Sequence, residues 1–261
     1  MIRVGVFGAA GRMGSTVCQA VVDEPGLELV AAVDPMHAGG DLREVTGVDA
    51  PLQLASGPDH MIEAGVEVAV DFTQVEPARQ NLAWLAANRI HAVVGTTGFT
   101  ESDLSSFEAA FTQSNCVIAP NFAIGAVLMM RFAEMAAPYF ETAEIIELHH
   151  DRKADAPSGT AMLTAQRMAD ASSDWAEDPT TDEVVAGARG GSGPGGIPIH
   201  SVRLRGIVAH QEVLFGTQGQ TLSLRHDSYD RSSFMPGVML AVQRVAQLPG
   251  ITLGLDALLN I

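Results

Sequence analysis

Positions 149–153 of this strongly acidic chain gather two imidazoles, a guanidinium and an ammonium, from His149, His150, Arg152 and Lys153. An imidazole exchanges protons near neutral pH, and an ammonium is a proton donor on a flexible stem. A few residues on, Ser158-Gly159-Thr160 immediately precedes a helical pattern over 161–168. Ser158 or Thr160 can cap that helix, and the free backbone N–H groups of its first turn attract an anion, ideally a carboxylate. Proton donors beside an anion-binding helix start describe a catalytic site for a carboxylated substrate. The residues before them, 143–148, are rich in β-branched and apolar side chains and read as a strand. Side chains alternate along a strand, so His149 and His150 start out facing opposite ways. For both to serve one site the strand must end or bend at Asp151-Arg152-Lys153, where no β-branched residue sustains it. No third ligand follows at recognisable spacing, so no metal is expected. Asp155 and Pro157 are expected to brace the turn.

A second constellation lies at the start of the chain. Gly8-Ala9-Ala10-Gly11-Arg12-Met13-Gly14 follows an apolar strand, 2–7, and opens a helix, 11–22. Glycines at such a junction permit a tight turn and let backbone N–H groups approach a pyrophosphate at the helix start. The spacing is GxxGxxG rather than the standard GxGxxG. Asp34 ends the second strand, 27–33, where an acidic residue accepts hydrogen bonds from an adenosine ribose. Gly95-Thr96-Thr97 follows the fourth strand and Ala119-Pro120-Asn121-Phe122 the fifth. Both loops fall at the carboxyl ends of parallel strands, where such sheets bind ligands.

The elements that must position these groups alternate in the first half: further strands over 66–72, 91–94 and 116–119, and helices over 76–88 and 101–113. Continuous apolar strands alternating with helices indicate a doubly wound parallel sheet. The stretch between Asp34 and residue 66 reads as a loop. After Asn121 the pattern changes. A helix over 124–139 leads to the strand before His149, and three β-like runs, 201–208, 212–215 and 221–226, follow without intervening helices, as in an antiparallel or mixed sheet. A helix over 236–247 and a short apolar tail close the chain. The glycine-rich run 187–196 reads as a connector, with a flap or an intersubunit contact as the functional alternative.

Composition narrows the partners. With 261 residues there is room for one large or two modest cores. A net charge of −16 disfavours nucleic acid or an anionic membrane as partner. The N-terminus enters a strand directly, with no leader pattern, and no apolar run is long enough to span a bilayer, so a cytoplasmic protein is expected. Cys18 and Cys116 form no CxxC pair and read as buried small hydrophobes.

The segment from Glu147 through His149, His150, Lys153, Asp155, Pro157, Ser158, Gly159 and Thr160 to Ala161 resembles the active-site signature of 4-hydroxy-tetrahydrodipicolinate reductases (dihydrodipicolinate reductases). These are enzymes of bacterial and plant lysine and diaminopimelate biosynthesis. The glycine loop, both strand-end loops and the segments 206–210 and 225–234 resemble that family in the same order along the chain. The resemblance implies an NAD(P)H-dependent oxidoreductase that reduces 4-hydroxy-tetrahydrodipicolinate to tetrahydrodipicolinate with loss of water. It implies a Rossmann-like doubly wound parallel sheet, 1–120 plus 231–261, with an inserted α+β substrate-binding and oligomerisation domain, 121–230, and a homotetramer. It assigns proton exchange to His149 and Lys153, and binding of the dicarboxylate substrate to His150, Ser158, Gly159 and Thr160. The cofactor would lie along Gly8, Ala9, Ala10, Gly11, Arg12, Met13, Asp34, Gly95, Thr96, Thr97, Ala119, Pro120, Asn121 and Phe122. Pro35 stands where some members carry an arginine suited to a 2′-phosphate, which favours NADH, while Arg12 keeps NADPH open. Two other readings remain: another two-domain dehydrogenase of amino-acid synthesis, of the aspartate-semialdehyde or homoserine type, and a nucleotide sensor that kept the fold without catalysis.

Overall fold

The structure is a computed structural model and describes residues 1–261. From the N-terminus run β1 (Ile2–Phe7), α1 (Arg12–Asp23), β2 (Leu27–Val33), α2 (Leu42–Thr46), β3 (Leu54–Ala55), α3 (Asp59–Glu63), β4 (Val68–Asp71), α4 (Val75–Ala87), β5 (His91–Val94), α5 (Glu101–Ala110) and β6 (Cys116–Ile118). Then come α6 (Ile124–Ala136), β7 (Thr142–His149), α7 (Gly159–Ala171), β8 (Gly191–Ser192), β9 (Pro198–Arg203), β10 (Ala209–Thr217) and β11 (Gln220–Ser228). The chain ends with α8 (Met235–Arg244), β12 (Ile251–Leu253) and α9 (Asp256–Leu259). It divides into two compact units, Met1–Ala123 with Phe234–Ile261, and Ile124–Ser233.

The first unit holds a seven-stranded sheet in the order β12-β6-β5-β4-β1-β2-β3, with every pairing parallel. Its inner strands β1, β4 and β5 are almost wholly buried because helices cover both faces. Leu82 and Leu85 of α4 and Phe107 of α5 pack with Ala92 and Val94 of β5 in one core. Each such side chain contributes roughly 1.5–3 kcal/mol by leaving water. Strand order reverses between β1 and β4, the switch point at which such sheets open a ligand crevice at their carboxyl ends.

The stretch read as a loop after Asp34 is more ordered than expected. Asp41 caps α2 through Arg43 and Glu44 N–H, Leu42 and Leu54 are buried, and β3 extends the sheet edge beside β2. The short apolar tail likewise contains β12, which pairs with β6. Expected helix ends also retreat: α5 stops at Ala110, and α6 gives way to a 3-10 turn over Ala137–Tyr139, where Pro138 removes a helix hydrogen bond.

The second unit holds a mixed sheet, β11-β10-β7-β9-β8, in which only β7 and β9 run parallel. β10 and β11 are longer than the expected runs because they form a continuous hairpin from Ala209↔Ser228 to Thr217↔Gln220, while β9 covers Pro198–Arg203 instead of 201–208. Gly219, at φ +83°, makes its turn. Within the glycine-rich run, Gly191 and Ser192 pair with β9, so part of the connector is sheet edge. Alternation along β7 buries Ala143, Ile145 and Glu147 on one face, where Ile145 packs with Val213, Phe215 and the α7 residues Ala165 and Met168.

Candidate functional site

In the second unit, β7 stops at His149, so the residues that follow are free of the ladder. His149 is half-buried and places Nδ1 2.5 Å from Oε2 of Glu147, two residues earlier on the same face. His150 lies beyond the strand and is exposed; its Nδ1 accepts from the backbone N–H of Arg152 at 3.2 Å, which leaves its proton on Nε2. Lys153 donates to both carboxylate oxygens of Asp155 at 2.8 Å, so Asp155 holds the ammonium in place. The backbone then passes Pro157, whose preceding peptide is cis, to Ser158, the N-cap of α7.

Ser158 caps the helix: its Oγ accepts from Ala161 N–H at 3.2 Å, and the residue is buried. Gly159 and Thr160 open the first turn of α7, Gly159 exposed and Thr160 half-buried. A β-carbon on Gly159 would meet nothing within 4 Å, so its backbone faces open space. Helix-start N–H groups in that position attract a carboxylate.

Glu147 was not singled out from the sequence, and it organises this cluster. Its carboxylate is 0% exposed. It accepts from Arg203 Nη1 at 2.9 Å, Arg203 Nη2 at 2.8 Å and Ser158 N–H at 3.2 Å, besides His149. Burial pushes its pKa up, but hydrogen bonds from Arg203, Ser201 and His149 outweigh that and hold it below the usual carboxylate range. For His149 burial is the largest influence and lowers the pKa; Glu147 opposes it, and the net shift is downward. The sequence signal for Glu147 is its i, i+2 relation to His149 in a strand. Arg203, aligned with His149 across the parallel β7–β9 pair, has no local signal at all.

In the first unit the glycine loop is held tightly. Gly8 adopts φ +67°, and Gly11 N–H closes the turn on Gly8 O at 2.9 Å. A β-carbon on Gly14 would sit 1.9 Å from Gly8 O, so the close packing of α1 on this loop requires glycine there. Gly11 is the N-cap of α1 and offers no side-chain cap to the first turn, which begins with Arg12 and Met13. Ala9 is buried and fixed by its N–H to Val33 O at 3.1 Å, so it shapes the loop from beneath.

Asp34 is buried at the end of β2. Its Oδ2 accepts from Ala10 N–H at 3.1 Å, and its Oδ1 takes Met36 N–H and His37 Nδ1, both at 3.1 Å. A carboxylate has about four acceptor sites, so the one left on Oδ2 is available to a ribose hydroxyl. The single Thr96 hydroxyl proton, after β5, is shared between Asp71 Oδ1 at 3.1 Å and Thr73 O at 3.2 Å; Thr97 is exposed beside it. A β-carbon on Gly95 would collide with the Phe72 ring at 2.0 Å. After β6, Ala119 and Phe122 are buried, Pro120 is exposed and Asn121 Oδ1 accepts from Ala123 N–H at 2.9 Å. The Phe122 ring lies 5.7 Å from that of Phe72. Asp71, also unforeseen, is wholly buried and ties the loops after β4 and β5 to α4 through Thr73, Thr96 and Asn81.

The glycine cradle, the uncapped first turn of α1 and the remaining acceptor of Asp34 fit a dinucleotide. No group of three or more His, Cys, Asp or Glu side chains is gathered to hold a metal ion. No helix is long and apolar enough to cross a membrane. Cys18 and Cys116 are buried, and burial raises both thiol pKa values, that of Cys18 to about 12. Neither is a nucleophile of the kind a phosphorylating semialdehyde dehydrogenase needs.

Comparison with known proteins agrees on one family. Residues 2–122 match the family model described as dihydrodipicolinate reductase, N-terminus, and residues 125–259 the model described as dihydrodipicolinate reductase, C-terminus. The 4-hydroxy-tetrahydrodipicolinate reductase of Mycobacterium ulcerans is 50% identical over 264 residues, covering 100% of both chains. That of Mycobacterium sp. strain KMS is 49% identical with the same coverage. Among solved structures, the dipicolinate-bound dihydrodipicolinate reductase from Paenisporosarcina sp. TG-14 is similar with a TM-score of 0.86 and 41% identity, over 98% of this chain and 99% of that one.

Proposed function

Because the chain belongs to the dihydrodipicolinate reductase family, and so is a 4-hydroxy-tetrahydrodipicolinate reductase of lysine and diaminopimelate synthesis, we propose how its residues divide that reaction. The first unit takes a reduced nicotinamide dinucleotide, held by Gly8, Ala10, Gly11, Arg12 and Met13 around the pyrophosphate. Asp34 takes the adenosine ribose, and the Gly95–Thr97 and Ala119–Phe122 loops the nicotinamide half. When bound, the dinucleotide supplies the hydride. Asp34 with Pro35 favours NADH, because a buried carboxylate repels a 2′-phosphate.

The second unit takes the dicarboxylate. Gly159 and Thr160 seat one carboxylate on the first turn of α7, with Ser158 fixing the turn and His150 offering Nε2–H as a further donor. Lys153 supplies a proton as the substrate's hydroxyl leaves as water, and His149 exchanges the proton that accompanies hydride transfer. The observation that carries this assignment is the shared carboxylate of Glu147, which joins the His149 imidazole to the first residue of the anion-binding turn. The oligomeric state and compartment follow the family expectation: a homotetramer in the cytoplasm.

Dipicolinate, the ligand of the similar Paenisporosarcina structure, is the probe for the carboxylate seat. Calorimetric titration should show binding to the wild type and at least tenfold weaker binding to Thr160→Val. Equal affinities would place the seat elsewhere.

A further inference from the structure

Glu147 is the one carboxylate that faces the inner side of β7, and none of the proton-transfer or binding roles above employs it directly. We propose that Glu147, clamped by Arg203, is a positioning residue of the reaction: it fixes the tautomer and orientation of His149 and locks that imidazole to the first turn of α7. The inference rests on His149 being the acid–base group.

An ionised carboxylate only accepts hydrogen bonds. Nδ1 of His149, 2.5 Å from Glu147 Oε2, therefore carries a proton in both charge states of the ring. Proton exchange is left to Nε2, which is bare when the imidazole is neutral and N–H when it is charged. This assignment holds only while Glu147 stays ionised. A protonated carboxyl could donate to Nδ1, and the working nitrogen would then be reversed.

Arg203 prevents that. Its planar fork matches both carboxylate oxygens, at 2.8 and 2.9 Å, a geometry lysine cannot reproduce. The parallel β7–β9 register brings Arg203 alongside His149, so its guanidinium reaches back along the inner face to Glu147. Its Nη2 also donates to Asp155 O at 2.6 Å, in the residue whose carboxylate holds the Lys153 ammonium. Ser158 N–H, on the other carboxylate oxygen, fixes the residue before Gly159. One buried ion pair thus sets the relative placement of His149, the Lys153 loop and the helix start. A packing role would need neither the bidentate geometry nor the three outgoing contacts.

The test combines imidazole 1H–15N correlation spectra of the full chain, the His149 resonances assigned through His149→Asn, with pH profiles of kcat/KM. In the wild type, neutral His149 should carry its proton on Nδ1; a proton on Nε2 would overturn the proposal without any variant. In Glu147→Gln the tautomer should change or mix. The fall of kcat/KM at rising pH should move down by about one pH unit or more, since an opposite charge is removed. Turnover should drop at least tenfold while the Kd for NADH stays within twofold. Arg203→Lys should keep the Nδ1–H tautomer and retain more turnover than Arg203→Met. An unchanged pH profile and tautomer in Glu147→Gln, with His149→Asn inactive, would overturn the positioning role alone. Full turnover in His149→Asn would sink the acid–base reading and this inference with it. Should Glu147→Gln fail to fold, the wild-type spectrum and the two Arg203 variants decide.

Discussion

Replacing Gly14 by alanine would place a methyl carbon 1.9 Å from the carbonyl oxygen of Gly8 and 2.7 Å from its carbonyl carbon. Because β-carbons essentially never approach closer than 3.0 Å, the loop and α1 must separate by about 1.1 Å. The obstacle is backbone, so no side-chain rotation relieves it. That displacement strains Ala9 N–H to Val33 O and Ala10 N–H to Asp34, both now 3.1 Å, toward distances where hydrogen bonds weaken. Overpacking costs about 1–3 kcal/mol, offset in part by the gain of about 1 kcal/mol for alanine over glycine in a helix. The net loss of stability is then roughly 0–2 kcal/mol, and the larger effect falls on the dinucleotide, whose pyrophosphate the displaced N–H groups would hold. We expect the Kd for NADH to rise at least tenfold, about 1.4 kcal/mol. Fluorescence titration with NADH, beside urea unfolding, measures both quantities. Gly57→Ala, where a β-carbon meets nothing within 4 Å, is the control and should bind NADH as the wild type does. A Gly14→Ala protein that folds and binds NADH within twofold of the wild type would refute the close-approach argument.

Lys153→Ala should lower kcat by about 10²–10⁴-fold, the range of general acid catalysis, with NADH binding unchanged. Its stability should change by no more than about 1 kcal/mol, because its partner Asp155 is largely exposed; full turnover would remove Lys153 from the proton path. NADH should be used at least as well as NADPH, because in the proposed cofactor placement a 2′-phosphate would meet the buried carboxylate of Asp34. A large kcat/KM preference for NADPH would contradict this. Burial lowers the pKa values of His91, His149 and His226 below the ordinary histidine value of 6.5. The unfolded chain therefore binds more protons below that pH. Their contribution to stability is fully present above pH ~6.5 and is lost as pH falls through the lower folded values. The urea midpoint should drop between pH 7.5 and 5.5, and a flat profile would show that the three rings are not desolvated.

Much of the fold was legible because its signals are local. Apolar runs bounded by glycine mark β1, β4 and β5, and alternation with amphipathic helices points to a parallel sheet. β3 and β12 were missed because a strand of two or three residues has no periodicity of its own. Ile251–Leu253 becomes a strand only by lying beside Cys116–Ile118. In the second unit the candidate site from His149 to Thr160 was readable because its donors and its helix cap lie close together in the chain. Glu147 stood in view two residues before His149, yet its importance depends on Arg203, 56 positions away, brought close by the β7–β9 pairing. Asp71 escaped for the same reason, since its partners arrive from the loops after β4 and β5 and from α4. Spacing reveals groups that are neighbours in the chain; a buried charge reveals itself only once the fold supplies its partner.

Initial rates with freshly generated 4-hydroxy-tetrahydrodipicolinate, following loss of reduced nicotinamide absorbance with NADH and NADPH separately, test whether the chain turns over this substrate. Rapid oxidation of NADH that depends on both substrate and His149 is the expected result. Bound NADH that is never oxidised in the presence of that substrate would contradict it and return the chain to the reading of a nucleotide sensor.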